Sequence, residues 1–133
     1  MRKTQDFSQN LGIACAGAID KSKGVVLISA SLKWTEVPLK KMVEEKIGMS
    51  MSVINDADAA LLTEMKFGAG KEYTDAVLLT LGTGIGSSIF NKGKFIEPIE
   101  LSHMVIKNNG KKCACGRKGC FETYCSASAL KTM

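Results

Sequence analysis

One stretch limits this chain more than any other. It reads His103-Met-Val-Ile-Lys-Asn-Asn-Gly-Lys-Lys-Cys113-Ala-Cys115-Gly116-Arg-Lys-Gly119-Cys120, and it sets the single histidine of 133 residues just upstream of three clustered cysteines. One imidazole and three thiolates form a closed tetrahedral set that suits a structural Zn²⁺. Gly116 and Gly119 lie between Cys115 and Cys120, where a tight turn around an ion needs backbone freedom. Lys111, Lys112, Arg117 and Lys118 add the positive charge that stabilises thiolates. The competing reading is a disulfide, or loose thiols beside an unrelated surface histidine. Zinc is the better reading, because Cys113-Ala-Cys115 is too tight for an unstrained internal disulfide. A metal there contributes folding free energy, on the order of 10 kcal/mol in small zinc sites.

Length and composition bound the rest. The chain fits one ordinary domain or two incomplete lobes, and 45% hydrophobic with 23% charged residues describes a globular protein. Three thiolates with Zn²⁺ lower the net charge by one from +5. The few aromatics are not interleaved with a basic stripe, so no nucleic-acid partner is expected for this segment. Of the remaining cysteines, Cys15 sits in an apolar run and reads as a core residue. Cys125 is a spare thiol or a stand-in ligand. Free thiols and a thiolate site suit a reducing cytoplasm. The apolar run 11–19 is short, carries two glycines and follows mostly polar residues, so it reads as a strand rather than a signal peptide. No segment approaches transmembrane length, and no membrane partner is expected.

In chain order, residues 11–19 predict a buried strand closed by a glycine turn at 17–20, with Asp20 a turn residue. Residues 24–28 predict a second strand, and 29–36 a loop bearing Trp34. Leu39, Met42, Val43 and Ile47 recur at helical spacing, with Pro38 suited to the start and Gly48 to the exit. Residues 50–54 predict a strand. Asn55-Asp56 caps a helix reaching about Phe67, closed by Gly68-Ala-Gly70. Residues 71–75 form a polar linker and the expected lobe boundary, and residues 76–81 a strongly apolar strand. Strand and helix alternate, so the class is α/β.

Gly82-Thr83-Gly84-Ile-Gly86-Ser-Ser88 follows that strand directly. Glycines let backbone approach an anion, and the hydroxyls add donors. It is not a P-loop, because no Gly-Lys-Ser/Thr ends it, and not a dinucleotide fingerprint, because no helix follows. Ile89-Phe90, a turn at Asn91-Lys-Gly93 and Lys94-Phe-Ile96 make a hairpin instead. A tight hairpin without a ligand explains such glycines equally well.

Six segments together resemble the ROK family of bacterial sugar kinases and sugar-responsive repressors, in a glucokinase-like form. They are Gly12-Ile-Ala-Cys-Ala-Gly17-Ala-Ile-Asp20, Leu32-Lys-Trp34, Asn55-Asp56-Ala-Asp-Ala-Ala60, Leu81-Gly-Thr-Gly-Ile-Gly86, Glu100-Leu-Ser-His103 and Cys113-Ala-Cys115-Gly-Arg-Lys-Gly-Cys120-Phe-Glu122. The resemblance implies part of an actin-like ATPase (ribonuclease H-like) fold. Residues 1–72 would be a partial N-terminal lobe, and 73–133 the start of a C-terminal lobe with a phosphate-binding hairpin and a Cys3His zinc loop. It implies Asp56 as catalytic base and Asn55, Glu100, His103 and Glu122 as sugar contacts, with His103 also a zinc ligand beside Cys113, Cys115 and Cys120. Gly82, Thr83, Gly84 and Gly86 would face the nucleotide phosphates. The implied reaction transfers phosphate from ATP, with Mg²⁺, to a hexose or N-acylated hexosamine. A homo-oligomer is left open. Phosphoryl transfer needs positioning more than a strong base, and a helix N-terminus stabilises a carboxylate charge. Without the resemblance, Asp56 would read as a plain helix cap and Glu100 and Glu122 as solvated surface carboxylates.

The chain also departs from the family. Residues 1–11 hold no Asp-x-Gly-Gly-Thr segment, and the sequence ends at Met133, so an incomplete member is expected. Ser102 stands where glycine usually precedes the histidine, Asp58 where asparagine is common, and Ser31 where asparagine often stands. The alternative function is the sugar-sensing domain of a ROK repressor, which binds without catalysis. A zinc-ribbon nucleic-acid module ranks last, because a single Cys-x-Cys…Cys with a distant histidine lacks paired knuckles. With one phosphate segment missing, the chain by itself is expected not to phosphorylate sugars. A coupled assay with glucose, mannose and N-acetylated hexosamines should stay at background.

Overall fold

In the computed structural model, residues 10–96 and 100–131 are described. They fall into two compact units, Met1–Ala59 and Ala60–Met133, with the division inside one helix.

The first unit holds β1 (Asn10–Cys15), β2 (Ala18–Asp20), β3 (Val25–Ser29), β4 (Trp34–Val37), α1 (Leu39–Ile47), β5 (Ser50–Asn55) and the start of α2 (Asp56–Phe67). β1 and β5 pair in parallel, from Asn10 opposite Ser50 to Cys15 opposite Asn55. β2, β3 and β4 form an antiparallel meander. Period-two alternation turns Met51 and Val53 inward and leaves Ser50 and Ser52 exposed. Met51 and Val53 form the core with Cys15 and Val26, and Leu11, Ile13, Ile19, Trp34, Val37, Leu39 and Val43 pack around them. α1 ends at Gly48, whose left-handed backbone returns its N–H to the Glu44 carbonyl.

Two expectations change here. The run 11–19 is broken at Ala16-Gly17 into β1 and β2. Gly17 lies so close to β3 that a Cβ would stand 2.3 Å from the Ile28 carbonyl oxygen. Trp34–Val37 is a strand rather than loop. Its local sequence has no clean alternation, and the ladder to β3 (Ser29 opposite Trp34, Ile28 opposite Thr35) makes the strand. Asp20 keeps its turn role, accepting from the Ser22 hydroxyl and the Lys23 N–H. These bonds, the Ser22 one first, hold its carboxyl below the usual range.

The second unit holds the rest of α2, the antiparallel sheet β6 (Ala76–Leu81), β7 (Ile85–Asn91) and β8 (Lys94–Phe95), a 3-10 turn (Leu101–His103), α3 (Glu122–Cys125) and α4 (Ala127–Leu130). β7 begins at Ile85, so Gly86, Ser87 and Ser88 belong to a strand and the open glycine loop shrinks to residues 82–84. Lys92 and Gly93 both take positive φ at the β7–β8 turn, as a type I′ hairpin requires. Asp75, in the linker, accepts from the Lys92 N–H at 3.0 Å and from the Asn91 side chain, which ties the linker to the hairpin tip.

Burial predicts how the first core responds to mutation. Met51 is 2% exposed and Met42, on the outer side of α1, is 46% exposed. Met51→Ala should cost about 2–5 kcal/mol, and Met42→Ala about 0.5 kcal/mol or less. Urea-unfolding midpoints read by circular dichroism check both.

Candidate functional site

β5 runs into α2 without an intervening residue, and the junction carries Asn55 and Asp56. Asn55 Oδ1 accepts from the N–H groups of Ala57 and Asp58, at 2.8 and 3.2 Å, so Asn55 caps the helix. Its amide nitrogen donates to the Gly17 carbonyl at 2.9 Å. Asp56 is exposed, and one of its oxygens accepts from the Ala57 N–H at 3.0 Å. Its other oxygen has no partner among the described residues.

Asp58 is 7% exposed and pairs with Lys21 Nζ at 2.8 Å. A carboxylate so placed needs a counter-charge. Sequence reading missed Lys21 because a lysine in a polar turn carries no signal of its own. Burial first, and then the Asp56 carboxylate, push the Cys15 thiol up, which fits Cys15 as a core residue.

The second unit brings His103, Cys113, Cys115 and Cys120 together, with their donor atoms all within 4.8 Å of one another. His103 Nδ1 lies 3.6 Å from Cys113 Sγ, and the sulfurs of Cys115 and Cys120 are 3.6 Å apart. That is far beyond a disulfide bond of about 2.05 Å. It is close to the edge of a tetrahedron of thiolates held about 2.3 Å from an ion, about 3.8 Å. The donor set therefore fits a metal, with Nδ1 as the histidine ligand.

The loop's own backbone supports this cluster. The Ile106 N–H donates to the Gly119 carbonyl, the Gly119 N–H to the Lys111 carbonyl, and the Cys113 N–H to the Arg117 carbonyl. Gly119 has φ +81°, and a Cβ there would stand 1.7 Å from the Lys107 carbonyl oxygen, so no other residue fits. Tyr124 accepts from the Lys111 N–H at 2.8 Å and anchors the loop's entry. Cys125 is not among the four donors.

The glycine loop lies against the segment that follows the cluster. Glu122 Oε2 accepts from the Ile85 N–H at 2.9 Å, and a Cβ on Gly84 would stand 2.6 Å from that oxygen. The backbone at Gly84 thus lies against the protein's own Glu122 carboxylate. The Ala127 N–H donates to the Gly82 carbonyl at 2.9 Å, and the Ser128 hydroxyl to the Thr83 carbonyl at 2.7 Å. Ser87 Oγ accepts from the Leu101 N–H at 3.0 Å, which ties the 3-10 turn of His103 to β7. Ser87, read from the sequence as a hydroxyl donor of the glycine loop, accepts from Leu101 instead, and Ala127 and Ser128 escaped sequence reading because their acceptors lie far along the chain.

Glu100 is exposed beside the 3-10 turn. Ser102 is buried within that turn, with its hydroxyl 3.5 Å from Glu100 Oε2, a long contact. No side-chain hydrogen bond joins Glu100, His103 and Glu122 to one another among the described residues.

The cluster predicts one metal ion per chain. Metal analysis after purification should give near-unit stoichiometry, with Cys120→Ser strongly lowering occupancy and Cys15→Ser leaving it unchanged. Without metal, Cys115 and Cys120 titrate apart. A hydrogen bond from the Arg117 backbone holds Cys115 down at about 6, and burial pushes Cys120 up to about 11. A lowered thiol favours the fold fully above its unfolded value, near 9, and loses that contribution as pH falls through about 6. A raised thiol favours the fold below 9 and loses that contribution as pH rises through about 11. Iodoacetamide mapping of chelator-treated protein at pH 7 should therefore label Cys115 faster than Cys120 to the extent that the loop stays folded, and metal should protect both.

The ROK family model matches residues 1–133. The glucokinase of Streptomyces coelicolor is 37% identical over 125 residues, covering 90% of this chain and 39% of its own length. A ROK family glucokinase from Streptomyces griseus, solved with glucose and AMPPNP, is 38% identical with a TM-score of 0.77, covering 90% of this chain and 40% of its own. A ROK family transcriptional regulator, a homologue of the E. coli MLC protein, has a TM-score of 0.85 at 28% identity, covering 92% of this chain and 32% of its own. The chain thus spans about 40% of the length of such kinases, and its α/β architecture is theirs. Among the described residues no helix is long and apolar enough to cross a membrane. Family match, relatives and shared architecture agree: the chain belongs to the ROK family.

Proposed function

We propose that this chain carries the sugar-recognition and phosphate-loop segment of a ROK sugar kinase, which transfers phosphate from ATP, with Mg²⁺, to a hexose or N-acylated hexosamine in the cytoplasm. The observation that carries this reading is the junction at Asn55. Its side chain takes the capping bonds, so the exposed Asp56 carboxylate keeps an oxygen for a substrate. The similarity to a glucokinase solved with glucose and AMPPNP supports the substrate class.

In this reading Asp56 accepts the proton of the sugar hydroxyl as its oxygen bonds to the γ-phosphorus, and the bond to the ADP oxygen breaks. Positioning and charge neutralisation do most of the work in such a transfer. Asn55, Glu100, His103 and Glu122 hold sugar hydroxyls. Glu122 is braced by the Ile85 N–H through one oxygen and offers the other. Gly82, Thr83, Gly84 and Gly86 face the phosphates. The ion held by His103, Cys113, Cys115 and Cys120 is structural zinc, which suits soft thiolates with one imidazole. With Nδ1 towards the cysteines, the imidazole keeps Nε2 for a hydroxyl.

A second reading, the sensor domain of a ROK repressor, is favoured by the high structural similarity to a ROK transcriptional regulator. It shares the sugar contacts and lacks the transfer step.

Hexose titration of the zinc-loaded chain by NMR should give millimolar binding, about 4 kcal/mol. Glu122→Gln should weaken it and Ser102→Gly should tighten it, by freeing Glu100 from its neighbour. In a ROK protein of full family length containing this segment, Asp56→Asn should lower kcat by about 10²–10⁴-fold with KM little changed. Sugar binding with no ATP turnover in that protein would favour the sensor, and no sugar-dependent shifts in the zinc-loaded chain would overturn both readings.

A further inference from the structure

Two consecutive carbonyls of the glycine loop are bonded by two consecutive residues of α4. The Gly82 carbonyl accepts from the Ala127 N–H, and the Thr83 carbonyl from the Ser128 hydroxyl. In a trans peptide the N–H points opposite the carbonyl. The Gly82 carbonyl shares its plane with the Thr83 N–H, and the Thr83 carbonyl with the Gly84 N–H. Drawing both carbonyls towards α4 therefore turns both N–H groups away from it, onto one side of the loop. A strand would alternate its N–H groups between opposite edges, so the bonds impose a different arrangement. Neither N–H has an acceptor among the described residues, whereas the next one, Ile85, is taken by Glu122. Successive N–H groups turned to one side form an anion-binding concavity.

We propose that Ser128 is a positioning residue for this concavity: its hydroxyl fixes the Thr83–Gly84 peptide so that the Thr83 and Gly84 N–H groups meet a phosphoryl oxyanion together. The inference rests on the phosphate-loop reading and adds the side chain that sets the loop's orientation. Glycines flank Thr83 on both sides, and glycine permits turns that other residues resist. A peptide left untied there can rotate and present its carbonyl oxygen, which an anion rejects. Nothing else holds the Thr83 carbonyl among the described residues. Ser128 itself is exposed, and capping of α4 belongs to Ser126, whose hydroxyl accepts from the Ala129 N–H at 3.1 Å. Removing the Ser128 hydroxyl therefore leaves neither a cavity nor a lost cap.

The test uses the metal-loaded chain, inorganic pyrophosphate as probe, and amide NMR spectra. In the unaltered chain, pyrophosphate should shift the Thr83 and Gly84 amide signals more than the rest. Ser128→Ala should weaken pyrophosphate binding about 3- to 10-fold, the worth of one hydrogen bond. Metal content and the exchange rate of the Ala127 amide, which is bonded to the Gly82 carbonyl, should not change. Ser128→Thr keeps the hydroxyl and should restore binding, a rescue that a purely structural role would not require. Equal affinity in Ser128→Ala and the unaltered chain overturns the positioning role. If pyrophosphate moves neither amide in the unaltered chain, the phosphate-loop reading fails, and the inference with it.

Discussion

The second unit depends on closure of the His103–Cys113–Cys115–Cys120 cluster. Between the 3-10 turn and α3 the backbone forms no helix and only two isolated bridges, Val105 to Cys120 and Lys112 to Lys118. Such a segment buries too little apolar surface to offset the entropy of ordering it. Met104, Val105 and Ile106 remain about half exposed. What converges instead is a set of four donors, and an ion shared by them would supply the missing free energy. Glu122 follows Cys120 by two residues, so whatever fixes that cysteine also fixes the carboxylate braced against the glycine loop.

The first unit is organised differently. Its core is a parallel pair filled by Cys15, Met51 and Val53 with Val26 from the meander. The two units therefore organise their candidate site residues by different means: an apolar core in the unit of Asn55 and Asp56, and a cluster of metal-type donors around His103. Loss of metal and loss of core packing should accordingly be separable in their effects.

How far the sequence disclosed this follows from how restrictive each signal is. The clustering of His103, Cys113, Cys115 and Cys120 was legible because histidine and cysteine are rare and metal chemistry tolerates few spacings. α1 and α2 were legible from period and caps, although only Leu39 and Val43 of the α1 stripe face the core while Met42 and Ile47 stay exposed. β4 was not legible, since its strand character comes from pairing with β3. The partners of Asp58, Gly82, Thr83 and Ile85 were hidden for a similar reason. Each bond spans 37 or more residues, and no local pattern encodes a meeting at that range. The expected lobe boundary at 71–75 remains an expectation, and the assigned roles of Asp56, Glu100 and Glu122 rest on proposal.

Asn55 deserves a last thought, because its amide does two opposite things at once. The oxygen caps α2, while the nitrogen donates to Gly17 beyond the end of β1. Were β5 to slip by one residue against β1, the next side chain, Asp56, would occupy that place. A carboxylate has oxygens for the cap but no N–H for Gly17. The misaligned pair would forfeit a bond that the aligned pair keeps, in addition to turning Met51 and Val53 to the wrong face. The one-atom difference between asparagine and aspartate thus proofreads the alignment of two strands, and the residue left just beyond the checkpoint is the acid on which the proposed chemistry turns.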